Sequence, residues 1–365
     1  EMFDKFGVDA TRIYLASIAT GADIRWNDTG VEMYRNFSNK IWNATRFCLM
    51  NWSADTPVRI AGSSGETEDS RRSDAHADKS VGAPLADRWI FSRLSKTAVA
   101  VNKALDTYQF HEAVSLLYHF FWDDFCDWYI ELKKDEITAG DEEATTRIIS
   151  ILDTSLRMLH PFMPYLTEEL WLKLPGTSNH LHNKAYTDAE ATIMLADFPR
   201  GDSKLFDDAA EKEMSAVIDV IKKVRNIRAE MNISTAIKFT VHIAADAAMQ
   251  DVFEANKAQI LKLAKAENLI IADELDVPRA SAKAVTNDAR LAVPLEGLID
   301  FDAERTRLNN QINKLTEEKT RLDAQLSNQN FVDRAPIDKV TELRERSAEL
   351  EHQINTLNNN LEALN

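Results

Sequence analysis

The sequence predicts a mainly α-helical protein in three parts: a helical bundle, a small α/β unit and a C-terminal antiparallel coiled-coil hairpin. Glycine (10) and proline (9) are scarce among the 365 residues, whereas an all-β chain needs more of both for its turns. Apolar residues recur at spacings of three and four over most of the first 200 positions, as on the buried face of a helix. Heptad repeats occupy residues 300–365.

The first part, residues 1–200, is predicted to be a bundle of about five helices. The helix expected at 110–132 has the strongest stripe of large apolar residues. The helix expected at 31–50 buries a stripe formed by Tyr34, Phe37, Ile41, Ala44 and Cys48. Residues 53–82 are polar and almost empty of large apolar side chains. Such a segment cannot bury enough surface to offset its ordering entropy, so we expect a mobile surface insertion there.

The second part, residues 201–299, is predicted to be a small α/β unit that begins with a helix at about 207–231. From Ile237 to Ala244 apolar and polar residues alternate, as they do in a half-buried strand. The remaining elements expected here are a helix at 249–266, an apolar strand at 269–272 and two short strands at 282–286 and 291–295.

The third part, residues 300–365, contains two heptad stretches separated by a break with a proline and several turn formers. Two such helices are predicted to fold back on each other as an antiparallel coiled-coil hairpin. Lys319 and Ser347 fall at core positions of the heptads. They would cost stability there, and could serve to set the register instead.

Composition excludes several classes of protein. The net charge of −16 disfavours general attraction to nucleic acid. Two cysteines, Cys48 and Cys126, rule out a disulfide framework or a cysteine-rich zinc site. No apolar run approaches the ~20 residues needed to span a bilayer. The first residues, Glu1–Gly7, have no initiating Met and no features of a signal peptide, which suggests a fragment of a longer protein.

A search for catalytic chemistry is mostly negative. The sequence contains no glycine-rich phosphate loop, no HExxH, no GxSxG and no CxxC motif. The stretch from Asp123 to Glu143 holds nine carboxylates and two lysines. A solvated helix face and charges at a helix N-terminus account for most of that stretch. We therefore expect neither catalytic residues nor a metal site in this chain.

One predicted helix is basic, although the chain as a whole is acidic. On the face of 31–50 away from the apolar stripe, one line carries Arg35, Asn39, Trp42 and Arg46, and the adjacent line carries Asn36, Lys40, Asn43 and Phe47. Arg and Lys can contact phosphate, Asn can read base edges, and aromatic rings can stack on unpaired bases. The alternative is a plain polar face with Trp42 and Phe47 partly in the core. A second, weaker basic segment is Lys222–Arg228, with four basic residues and no acid.

Several motifs together resemble valyl-tRNA synthetases of the bacterial type. Valyl-tRNA synthetases are class I aminoacyl-tRNA synthetases. The resemblance runs from end to end of the chain, and the motifs that carry it are 7–12, 34–47, 125–129, 160–164, 224–231, 294–300 and the turn at 326–336. It implies that the helical bundle is of the anticodon-binding type and that the coiled coil is a tRNA-binding arm. It also implies that the parent enzyme ligates valine to its tRNA with ATP and Mg, and edits mischarged threonine.

The resemblance also implies which residues contact tRNA. On the anticodon helix they are Arg35, Asn39, Lys40, Asn43, Arg46 and Phe47. On the arm, more weakly, they are Arg305, Arg307, Lys314, Arg321 and Arg334. The implied partner is valine tRNA, and the implied protein is a cytoplasmic monomer whose catalytic and editing domains lie upstream, so that this chain alone would be inactive and would hold no cofactor.

Two other functions stay open at this point. The net charge and the heptads are also compatible with a structural or protein-interaction module, in which the coiled coil pairs with a protein and the bundle is a scaffold. A stand-alone enzyme of unknown type is the third possibility. It would require activity without any upstream sequence.

Overall fold

A computed structural model describes residues 2–18, 26–52, 83–177, 191–278, 280–298, 300–328, 331–332 and 335–362. The insertion predicted at 53–82 lies outside the described residues. The chain divides into two compact units, Glu1–Met214 and Ser215–Asn365.

The first unit is mainly helical over its described residues. Its helices are α1 (Met2–Phe6), α2 (Val8–Ala16), α3 (Asp28–Met50), α4 (Leu85–Asp106), α5 (Phe110–His119), a π-helix (Phe120–Tyr129), α6 (Ile130–Thr138), α7 (Glu142–Leu159) and α8 (Pro164–Trp171). Their apolar faces meet in one core, whose largest fully buried side chains include Trp171, Tyr129 and Phe37. The predicted helical bundle is confirmed.

The helix expected at 110–132 contains a π-helical stretch that the sequence analysis did not foresee. Phe121, Phe125 and Tyr129 follow one another at spacings of four and are all buried. A π-helix bonds each residue to the fifth one along, so its wider turn keeps residues four apart nearly in line. The aromatic side chains therefore stay on the core side over the whole stretch.

Local sequence sets the start of α3. The side chain of Asn27 accepts a hydrogen bond from the Thr29 amide at 3.0 Å, and Asn is among the preferred residues at this position. Gly30 in the first turn lies so close to Tyr14 that an added Cβ would be 2.6 Å from Tyr14 Cε2. This close approach brings the first turn of α3 against α2.

A polar cluster joins the loop after α7 to the start of α8. The Asp9 carboxylate accepts a hydrogen bond from the Leu166 amide at 2.6 Å, and the His160 Nδ1 atom lies 2.7 Å from Thr167 Oγ1. Burial lowers the pKa of His160 from its usual 6.5. In the same cluster burial raises the pKa of Asp9.

We expect His160 to make this unit less stable in mild acid. Because its folded pKa lies below its unfolded pKa, the folded state resists protonation, so stability is complete above pH ~6.5 and declines as the pH falls through that value. The pH dependence of thermal unfolding between pH 7 and pH 5 should therefore be smaller in His160→Gln than in the unsubstituted chain. Equal pH dependence in the two proteins would contradict the prediction.

The second unit contains a four-stranded mixed sheet in the order β2-β1-β4-β3. Its elements before the last two helices are β1 (Thr240–Ala244), α10 (Ala247–Ala255), α11 (Lys257–Ala264), β2 (Asn268–Ala272), β3 (Ser281–Val285) and β4 (Arg290–Pro294), preceded by α9 (Asp208–Glu230). β1 pairs in parallel with β2, and the other two pairings are antiparallel. The small α/β unit is confirmed, although the single helix expected at 249–266 is two helices that meet at Asn256.

Two long helices complete the second unit, α12 (Phe301–Ser327) and α13 (Ile337–Glu362). Arg346 of α13 lies 2.9 Å from Glu318 of α12, and Ser347 donates a hydrogen bond to Asp323 at 2.6 Å. Lys319 lies 3.8 Å from Glu351. Residues earlier in α12 thus face residues later in α13, which confirms an antiparallel hairpin.

The two polar core positions of the hairpin are joined through Asp323. Its carboxylate is 2.7 Å from Lys319 Nζ and also accepts the Ser347 hydroxyl. Leu308 and Leu350 are fully buried in the hairpin, and Ser347 is 8% exposed. A polar group at such a position fixes the pairing of two helices at some expense of stability.

Replacing Lys319 and Ser347 together by Leu is expected to raise the melting temperature of the chain and to loosen the register of the hairpin. Leu fills the core of the hairpin with apolar surface, but it removes the polar link through Asp323 that favours one alignment of the two helices. Cysteine cross-linking of one matched and one shifted pair of positions in α12 and α13 measures the register. Unchanged melting and a single cross-linked register would contradict the expectation.

The structure places residues 201–214 with the helical bundle, whereas the sequence analysis begins the next part at 201. Ser95 donates a hydrogen bond to the Asp202 carbonyl at 2.7 Å, and the Asp207 amide donates to Ser92 at 2.9 Å. Arg88 pairs with Asp207 at 2.8 Å. These bonds to α4 hold the segment on the first unit. The separation of 201–299 from 300–365 stays a prediction.

Candidate nucleic-acid interface

The candidate interface is the outward face of α3. The predicted inward stripe is confirmed, because Tyr34, Phe37, Ile41, Ala44 and Cys48 are all buried. The opposite face carries Arg35, Asn39, Asn43 and Arg46, and each of these side chains is exposed. One helix therefore supplies both an anchor in the core and a polar surface.

The two arginines of this face are available to a ligand. Neither Arg35 nor Arg46 has a hydrogen-bond or ion-pair partner among the residues that the structure describes. They are eleven positions apart on α3, which corresponds to about 16 Å along a helix. Asn39 and Asn43 lie between them. This arrangement places two amide groups, which can read base edges, between two cations that can hold phosphates.

Two aromatic side chains flank the polar face. Trp42 is 44% exposed, and Phe47 is half-buried. The alternative placed both rings partly in the core, and this description fits Phe47 better than the exposed Trp42. An exposed ring beside cations and amides can stack on an unpaired base.

Lys40 has an intramolecular partner. Its Nζ atom is 2.6 Å from the Asp127 carboxylate and 4.8 Å from the centre of the Trp122 ring. Lys40 thus links α3 to the π-helix, and its charge is already balanced. A contact of Lys40 with RNA stays a prediction, and we expect it to contribute less than Arg35 and Arg46.

An aromatic pair that was not predicted from the sequence lies next to this face. The rings of Tyr118 and Trp122 are stacked, with centres 5.5 Å apart and planes 17° apart, and both pack against Phe37. Both rings are half-buried. Their spacing of four on one helix was the only signal in the sequence, and it could not reveal that they lie beside α3.

The residues expected on the arm have different surroundings. Lys314 is exposed and has no partner among the described residues, whereas Arg321 is exposed and lies 3.6 Å from Glu317. Arg305 is 3.3 Å from Asp302, and Arg307 donates to the Glu230 carbonyl at 3.3 Å. Arg334 lies outside the described residues. Arg307, Lys314 and Arg321 recur every seven positions, so they share one face of α12.

The acidic stretch 123–143 consists mainly of structural ion pairs. The pairs are Asp124 with Arg93, Asp127 with Lys40, Glu131 with Lys134, Glu136 with Lys133 and Glu143 with Arg147. Burial raises the pKa of Asp124 even though the Arg93 guanidinium opposes that shift. The carboxylates are thus paired with cations and not gathered into one site.

Within the described part of the chain, no three or more His, Cys, Asp or Glu side chains are grouped so that they could hold a metal ion. No helix among the described residues is long and apolar enough to cross a membrane.

Two family models match the chain. Residues 87–244 match the anticodon-binding domain of tRNA ligases. Residues 300–365 match the valyl-tRNA synthetase tRNA-binding arm. The second match covers the helical hairpin formed by α12 and α13.

Curated relatives match the chain over nearly its whole length. It is 37% identical over 370 residues to a valine–tRNA ligase of Geobacter sulfurreducens, which covers 100% of this chain and 39% of the relative. It is 38% identical to the enzyme of Enterococcus faecalis (96% of this chain, 37% of the relative). It is 36% identical to the enzyme of Thermotoga maritima (95% and 36%). The chain spans less than two fifths of the length of each of these relatives.

Proposed function

Because this chain belongs to the valyl-tRNA synthetase family, as its C-terminal, tRNA-binding part, we propose that it recognises valine tRNA at two places. The outward face of α3 contacts the anticodon. The hairpin of α12 and α13 contacts the outer corner of the tRNA. The alternative of a protein-interaction module is not favoured, because both matched family models describe domains that bind tRNA.

The outward face of α3 is the observation that carries the anticodon part of the proposal. Arg35 and Arg46 are exposed there without partners among the described residues, and two exposed Asn side chains lie between them. An acidic protein gains selectivity from such concentrated contacts, because general attraction to RNA is weak while the correct RNA meets a matched surface. The net charge of −16 is therefore compatible with tRNA binding.

We propose that the longer enzyme attaches valine to its tRNA, with ATP and Mg as cofactors, and removes mischarged threonine. Those reactions would belong to catalytic and editing domains outside these 365 residues. The enzyme would be a cytoplasmic monomer. This chain would contribute affinity and selectivity for the tRNA and no chemical step.

Titration with two tRNAs tests the proposal. The chain is titrated with valine tRNA and with the same tRNA carrying a swapped anticodon, and binding is followed by fluorescence anisotropy. We expect valine tRNA to bind at least about tenfold more tightly, since each good base contact contributes about 1–3 kcal/mol of discrimination. Equal or negligible binding of both tRNAs would overturn the proposal for this chain.

A further inference from the structure

The second unit contains a cavity at the ends of α9 and α11 that the anticodon and arm contacts do not use. Its volume is about 720 Å³, within the ~300–1,000 Å³ range of small-molecule sites. The polar side chains that line it belong to Arg225, Arg228, Asn232, Ser234, Thr235 and Lys265. The described lining residues thus carry three cations and no carboxylate.

Arg228 is the most unusual of these cations. It is 6% exposed, and burial lowers the pKa of its guanidinium. No carboxylate pairs with it in the described part of the chain, and its Nε atom has no hydrogen-bond partner there. A buried charge without a counter-charge is costly. An anion in the cavity would supply the missing negative charge.

The other donors of Arg228 hold the loop that forms the cavity wall. They bond to the carbonyls of Ser234, Ile237 and Lys265 at 2.7–3.0 Å. The guanidinium also lies 4.4 Å from the centre of the Phe239 ring. Arg228 is thereby fixed in place, so a ligand would meet a preformed positive site.

A role in capping helix ends explains only part of the cluster. Arg225 donates to the Leu263 carbonyl at 2.9 Å, and cations are favourable at helix C-termini. Lys265 is different, because its side chain has no partner among the described residues. Its backbone is left-handed, with φ of 54°, at a position where glycine is the usual residue. The capping role therefore leaves the charge of Lys265 unexplained.

We propose that this cavity binds a phosphate group and that, in the complex with tRNA, the phosphate belongs to the RNA backbone. The volume leaves room for the sugar beside the phosphate. That the phosphate comes from tRNA rests on the proposed function. That the cavity binds a phosphate rests only on the cavity itself. The basic segment Lys222–Arg228, which the sequence analysis singled out, supplies two of the three cations.

Lys265→Gly tests the proposal without threatening the fold. Glycine relaxes the left-handed backbone and removes the cation, so the melting temperature should be unchanged or higher. The matched control is Lys283→Gln, which removes an exposed cation of β3 that does not line the cavity. Binding of valine tRNA is measured at several KCl concentrations for the full 365-residue chain and both variants.

The expected result is a loss of one phosphate contact in Lys265→Gly only. The slope of log K against log salt should shrink by about 0.7–0.9, and the affinity in 0.1 M salt should fall by about three- to tenfold. Lys283→Gln should retain the slope of the unsubstituted chain. In parallel, inorganic phosphate at constant ionic strength should shift the amide resonances of Asn232 and Thr235, and these shifts should vanish in Lys265→Gly.

The salt dependence of tRNA binding and the phosphate titration test different parts of the proposal. Phosphate shifts without a change of slope would overturn RNA as the source. Absence of both effects would overturn the cavity as a phosphate site. If the unsubstituted chain binds no tRNA at all, the proposed function fails, and the phosphate titration still decides whether the cavity binds the anion.

Discussion

Replacing Arg35 and Arg46 together by Ala should weaken binding of valine tRNA by about 100-fold. Each exposed arginine can form one charged contact with RNA, and the loss of about 1.4 kcal/mol at each corresponds to tenfold in affinity. The slope of log K against log salt should shrink by about 1.4, since each contact with unpaired RNA contributes about 0.7. Anisotropy titrations at several KCl concentrations provide both numbers.

The control for this double variant is Lys134→Ala. Lys134 is a cation of the same unit, on α6, and it is paired with Glu131 at 2.9 Å. Its loss should leave both affinity and salt slope unchanged. Lys40→Gln should have an intermediate effect, because Asp127 already balances the Lys40 charge. A double arginine variant that binds as tightly and with the same slope as the unsubstituted chain would exclude α3 as a phosphate-contacting surface.

Replacing Asp87 by Ala should reduce the free energy of unfolding of the first unit by about 3–5 kcal/mol. Asp87 belongs to the first turn of α4. Its side chain accepts the Tyr129 hydroxyl at 2.9 Å and lies 3.2 Å from both Lys133 and Arg147. Asp87 is 2% exposed and Lys133 is 3% exposed. Removal of the carboxylate leaves a buried ammonium whose remaining partner, Glu136, has a side chain that is 42% exposed.

Urea unfolding measures this effect, and thermal unfolding should show a fall of the order of 6–20 °C. Glu143→Ala is the matched control, because Glu143 pairs with the same Arg147 but its side chain is 80% exposed. An exposed pair contributes little, so its loss should cost no more than ~0.5 kcal/mol. If Asp87→Ala is no more destabilising than Glu143→Ala, the buried cluster does not hold α4, α6 and α7 together.

Patterns within single elements were sufficient to predict much of this fold. The stripe of α3, from Tyr34 to Cys48, could be read because a buried helix face repeats every three or four residues. The alternation at 237–244 predicted β1, which begins at Thr240. The heptads around Leu308 and Leu350 predicted the hairpin. In each case the signal lies within about twenty consecutive residues.

The π-helix was missed for a physical reason. Leu117, Phe121 and Phe125 have spacings of four, which an α-helix can also accommodate on a wide apolar face. Only the packing of these rings against Phe37 and one another decides which helix type keeps them buried together. The break at Asn256 was missed in the same way, because the periodicity on its two sides continues without a proline or glycine.

The residues of the candidate interface were predicted from the sequence, but their intramolecular partners were not. The sequence singled out Arg35, Asn39, Lys40, Asn43, Arg46 and Phe47 as one group. The structure divides them, since Arg35 and Arg46 are exposed without partners among the described residues and Lys40 is paired. The deciding partner, Asp127, is 87 positions away. No local pattern could have connected the two.

The sequence is sufficient to predict which segments are helices or strands and which faces are apolar, because those properties follow from backbone periodicity and burial of side chains a few positions apart. It also carried the family motifs. Which cations remain available to a ligand depends instead on the tertiary contacts. Lys40 and Arg228 look equivalent to their neighbours along the chain. Lys40, however, is neutralised by the distant Asp127 carboxylate, whereas Arg228 is buried with no carboxylate partner among the described residues. The pairing of charges depends on residues that are distant in sequence and that the fold brings together. For this reason the fold, and not the sequence, distinguishes the surface of α3 and the basic cavity from the other charged segments.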